Sequence, residues 1–83
     1  MFFFLIEYSR QEGVLVKFEK FSNLHQKEAQ QKRFDLELDL NRKKIAHEVV
    51  ILESASEESL RKSHRRYFDS LENFISSPTQ TAF

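Results

Sequence analysis

The sequence predicts an α+β domain, a small antiparallel sheet with two helices, and three observations carry the prediction. The runs "FFFLIEY" (2–8) and "HEVVILE" (47–53) are nearly continuous in apolar residues, as buried strands are. The run "VLVKFEKF" (14–21) alternates apolar and charged residues, as a half-covered strand does. From Ser22 to Lys44 there is neither glycine nor proline, and the first half of that stretch is rich in helix formers. The predicted order is β-β-α-β-α with sheet order 2-1-3 and both helices on one face. One domain spans 1–76, and 77–83 is a frayed C-terminal tail.

In the first strand, Phe2, Phe4 and Ile6 point to one side and Phe3 and Leu5 to the other. A strand apolar on both sides belongs in the middle of a sheet. "SRQEG" follows and ends in the only glycine, which suits a hairpin loop with a left-handed residue at Gly13. In the second strand Val14, Val16 and Phe18 share one side, Leu15, Lys17 and Glu19 the other, which fits a charged edge. Ser22 or Asn23 then caps a helix.

The segment "FDLELDL" (34–40) admits two readings. Its strict alternation is a strand signature and gives a four-stranded sheet as the alternative. Helix formers, the lack of β-branched residues and an Arg33–Glu37 pair at i,i+4 favour one helix from 22 to 42. After the third strand, Ser54 begins a capping-box pattern, "SASE", with Glu57–Arg61 and Glu58–Lys62 pairs further along. That helix is predicted to run on through Leu71, Phe74 and Ile75 and to end before "SSP" (76–78).

Composition excludes several classes. Among 83 residues there is no cysteine, so disulfides and thiolate metal sites are ruled out, and a reducing, cytoplasmic location is expected. Thirteen Lys/Arg balance thirteen Asp/Glu. The densest basic run, "NRKK" (41–44), is flanked by Asp39 and Glu48, so nucleic acid is an unfavoured partner. "MFFFLI" lacks a basic leader and meets Glu7 at once, so neither a signal peptide nor a membrane span is expected. Nine phenylalanines and two tyrosines supply bulky core in a short chain.

For chemistry, "SHRRYF" (63–68) is the densest cluster. On a helical wheel His64, Tyr67 and Phe68 share the apolar seam with Leu60, while Arg61, Lys62 and Arg65 lie opposite. The bland reading is an amphipathic helix. The catalytic reading sets His64 and Tyr67 beside a strand-end carboxylate, Glu53 or Glu7, for acid–base work. Arg61, Arg65 and Arg66 with Arg42, Lys43 and Lys44 are the candidate phosphate contacts of a nucleic-acid adaptor. His25 with Glu28, and His47 with Glu48, have metal-ligand spacing, yet three scattered histidines make no site, and no metal or other cofactor is expected. The terminal "TAF" has the form of a carboxylate-capture peptide, though a frayed tail explains it more simply. Phosphate-cradling glycine loops and nucleophile elbows are absent.

The surplus of apolar residues over what helices on one face can cover points to a non-enzymatic interaction module. Its expected interaction residues are Phe3, Leu5, Phe34 and Leu38, its expected partner a second copy in a homodimer, with another protein as the alternative. The competing function is a small dimeric enzyme or ligand-binding protein with a His64/Tyr67 pocket. The element order loosely resembles small ferredoxin-like domains, a likeness of architecture that carries no function.

Overall fold

The computed structural model describes residues 1–68. The expected continuation of the second helix through Leu71, Phe74 and Ile75, and the tail with its "TAF", lie outside the described residues. Three strands, β1 (Phe2–Ser9), β2 (Val14–Ser22) and β3 (Glu48–Ser54), form an antiparallel sheet in the order β2-β1-β3. Helix α1 (Gln26–Lys43) joins β2 to β3 after a 3-10 turn at Asn23–His25. Helix α2 (Glu57–Ser63) follows β3 and gives way to a 3-10 turn at Arg65–Tyr67. The β-β-α-β-α order and the 2-1-3 sheet are as the sequence predicts.

β1 is central because both of its sides are apolar. Phe4, Leu5 and Ile6 are fully buried, and β1 pairs along its length with β2 on one flank and β3 on the other. The two sides have different covers. Phe4 and Ile6 pack with Leu60 of α2 and with Tyr67 and Phe68 just after it. Leu5 packs with Phe21 and with Ala29 of α1. The helices therefore lie on opposite faces, which corrects the expected placement of both on one face. A one-sided arrangement leaves Leu5 in water, and burying such a side chain stabilises by about 1.5–3 kcal/mol. The ferredoxin-like likeness, a two-layer arrangement, falls with it.

β2 departs from its expected alternation. Pairing runs Glu7 with Lys17, then Tyr8 with Leu15, leaving Val16 as an extra residue in a β-bulge. The bulge turns Leu15 to the side of Phe18, against the Phe4 core, and leaves Val16 47% exposed. The hairpin loop closes as expected: Gly13 sits at φ +68°, and its N–H donates to the Ser9 carbonyl at 2.7 Å.

Residues 34–40 are helical, and the fourth strand is not formed. Ala29, Leu36 and Leu40 recur at seven and four residues, a helical stripe; Ala29 and Leu40 are buried and Leu36 half-buried. Phe34 and Leu38, one turn apart, lie off that stripe and are 56% and 45% exposed. The Arg33–Glu37 pair forms at 3.7 Å. Lys44 ends the helix in the left-handed conformation at φ 59°.

α2 starts two residues later than its capping box suggests. Ser54 is held in β3 opposite Phe2, so Ser56 becomes the N-cap and its Oγ accepts from the Ser59 N–H. Both expected i,i+4 pairs form, Glu57–Arg61 at 2.9 Å and Glu58–Lys62 at 3.6 Å. The α-helix then stops at Ser63, and His64 leaves helical geometry at φ −127°, ψ 54°. The break lets Tyr67 and Phe68, rather than a further helical turn, reach the sheet.

Candidate functional site

Polar side chains gather at one end of the sheet, where β1 ends and β3 begins, and they divide between its two faces. Neighbours along a strand point to opposite sides. Glu7 and His47 accordingly fall on the α1 side, Tyr8 and Glu48 on the α2 side.

On the α2 side, Glu48 Oε2 is the hub. The Tyr67 hydroxyl donates to it at 2.6 Å and the Arg66 guanidinium at 2.7 Å, while Arg66 also donates to the Tyr67 oxygen at 2.7 Å. The guanidinium lies 4.2 Å from the Tyr67 ring centre, and Tyr8 meets Tyr67 edge-on at 5.3 Å. The Tyr67 hydrogen bond, aided by Arg66 and opposed by burial, holds the Glu48 carboxyl below its usual range. Burial, then the hydrogen bond to Glu48 and the charge of that carboxylate, push the Tyr67 hydroxyl up to about 12. The same carboxylate raises Arg66.

A tyrosine so held keeps its proton at neutral pH and spends it on Glu48, so the trio clamps the post-α2 turn to β3. The linkage is testable. Tyr67 holds its proton in the folded state through a window, from 10 to about 12, in which the unfolded chain loses it. Stability is therefore full below pH ~10 and declines as pH rises through that window, by on the order of 2 kcal/mol. Urea midpoints measured against pH check this, and Tyr67→Phe is expected to abolish the Tyr67 share of the decline.

On the α1 side, His47 Nδ1 lies 2.6 Å from Glu7 Oε2. Glu7 is 7% exposed, the one charged residue in the apolar β1, and a buried carboxylate needs such a partner. His47 also borders a cleft of about 350 Å³ lined by Ser9, Gln11, Glu12, Lys44, Ile45 and Ala46.

The trio that the competing catalytic reading requires is not assembled. Tyr67 does meet a carboxylate, but it is Glu48. Glu53 is exposed and pairs with Phe3, on the other face and at the other end of the sheet. His64 is half-buried at the end of α2, its ring 6.4 Å from that of Tyr67. The metal spacings fare no better: His25 bonds the Ser22 hydroxyl, and His47 and Glu48 diverge. Among the described residues no group of three or more His, Asp or Glu is placed to hold a metal. Of the adaptor arginines and lysines, Arg61, Lys43 and Arg66 are taken by Glu57, Asp39 and Glu48.

Of the four expected interaction residues, Leu5 is wholly buried and Phe3 half-buried beneath α1, whereas Phe34 and Leu38 face solvent. The Glu7–His47 pair escaped the sequence reading because its members lie 40 positions apart. Its one signal was a lone charge inside an apolar strand. Comparison with protein-family models, with curated proteins and with solved structures finds no match for this chain. No helix among the described residues is long and apolar enough to cross a membrane.

Proposed function

We propose that the chain is a non-enzymatic interaction module that self-associates through the outward face of α1. The supporting observation is the pair Phe34 and Leu38, 56% and 45% exposed one turn apart on an 18-residue helix whose other leucines, Leu36 and Leu40, are half-buried and buried. Covering both side chains removes apolar surface from water at two adjacent points, and each is worth about 1.5–3 kcal/mol when fully buried. The partner is a second copy of the chain, and the lack of cysteine suits the reducing cytoplasm.

Exposed Asp35 and Glu37 sit beside the apolar pair. Glu37 is paired with Arg33 and Arg42 lies one turn beyond Leu38, so the rim carries both signs and an apolar contact is expected to persist at high salt. Light scattering behind a sizing column, over a dilution series at low and high salt, tests this. Wild type is expected to be dimeric at the higher concentrations. Phe34→Gln with Leu38→Gln is expected to weaken association by at least about a hundredfold with the monomer fold retained. A monomer at every concentration sinks the proposal. Association that salt disrupts places surface charge pairs, not Phe34 and Leu38, in the self-contact and overturns the proposal.

A further inference from the structure

The cleft beside His47 has a composition that the α1 face does not explain. We infer that it binds a small zwitterion of the amino-acid class, with His47 as the hydrogen-bonding residue that Glu7 orients.

Three features of the cleft converge on that class. First, an ionised carboxylate only accepts hydrogen bonds, so the 2.6 Å contact to Glu7 places the His47 proton on Nδ1. At a pH where the ring is neutral, Nε2 is left as an acceptor, fixed in direction by a carboxylate that is itself 7% exposed. A ligand hydroxyl or N–H is its complement. Second, the lining carries one carboxylate, Glu12, and one ammonium, Lys44, and neither forms an ion pair among the described residues. Opposite charges held apart around one cavity match an ammonium and a carboxylate on one molecule. Third, Ile45 and Ala46 give the wall a small apolar section, and about 350 Å³ lies at the low end of small-molecule pockets. The Ser9 hydroxyl oxygen already accepts from the Glu12 N–H, which ties the Glu12 segment to the buried end of β1.

The inference does not depend on self-association. Its test is imidazole nitrogen NMR on the full chain, recorded at a pH where the spectrum itself shows neutral rings, using L-serine as the probe. His25 and His64 are internal controls. Before any ligand is added, His47 is expected as the Nδ1–H tautomer; an Nε2–H tautomer overturns the assignment. Serine is expected to shift the His47 signals saturably in the millimolar range. Alanine (no hydroxyl), ethanolamine (no carboxylate) and lactate (no ammonium) are each expected to bind about threefold or more weakly. Glu12→Gln and Lys44→Asn change exposed residues, and each is expected to lower serine affinity by a similar factor; asparagine accepts the left-handed backbone of Lys44. Glu7→Gln is expected to release the tautomer. Absence of saturable shifts up to about 50 mM, equal responses to all four probes, or unchanged affinity in both Glu12→Gln and Lys44→Asn overturns the proposal.

Discussion

Phe4→Ala is expected to cost about 3–5 kcal/mol and to lower the urea midpoint sharply. Phe4 is wholly buried in the central strand, where its ring stacks on Phe18 at 5.6 Å and abuts the cluster of Leu60, Tyr67 and Phe68. Truncation opens a cavity at the point where α2, its following turn and two strands meet. A chain of this size has about 4–12 kcal/mol of stability in all, so the loss is a large fraction of it. Urea unfolding followed by circular dichroism measures it. Ile6→Val, one methylene smaller in the same core, is the graded control at about 0.5–1.5 kcal/mol. A Phe4→Ala midpoint equal to wild type refutes this packing.

Glu48→Ala is the next largest, at about 2–3 kcal/mol. Glu48 accepts from both Tyr67 and Arg66, and its loss leaves the hydroxyl of a tyrosine 5% exposed without an acceptor. The variant also separates the two causes of the raised Tyr67 titration. Burial is the largest single cause and the Glu48 hydrogen bond the next, so ultraviolet titration is expected to place Tyr67 below about 12 yet above 10. A Tyr67 value that does not move removes Glu48 from the account. In wild type the Glu48 carboxyl is held below its usual range, so it contributes stability above the ordinary carboxylate range. That contribution is lost as pH falls through its folded value. The acid-side loss is expected to be smaller in Glu48→Ala.

The candidate sites were legible only in part. Tyr67 stood out beside His64, but the α-helix that was to align them ends at Ser63, with no proline or glycine to announce the break. What ends it is the reward for burying Tyr67 and Phe68 against Phe4, Ile6 and Tyr8, which no local propensity records. Phe34 and Leu38 were read as exposed and are exposed. Phe3 and Leu5 were read as exposed on the premise that both helices shared a face. The extra residue at Val16 moved Leu15 from the charged side of β2 to the core side, a shift invisible in the run "VLVKFEKF".

The sequence by itself determined the order of the elements, the central position of β1 and the left-handed Gly13, and it favoured a helix over a strand at 34–40. Each rests on residues within a few positions of one another, where periodicity, β-branching and backbone sterics act directly. Tertiary structure alone decided which face each helix covers, where β2 bulges, and that Glu7 meets His47 while Glu48 meets Tyr67. A local pattern fixes which side chains share one side of an element. It does not fix which side of a sheet a connecting helix crosses. That choice is made by the sum of buried area on both faces, and here two apolar faces required two covers.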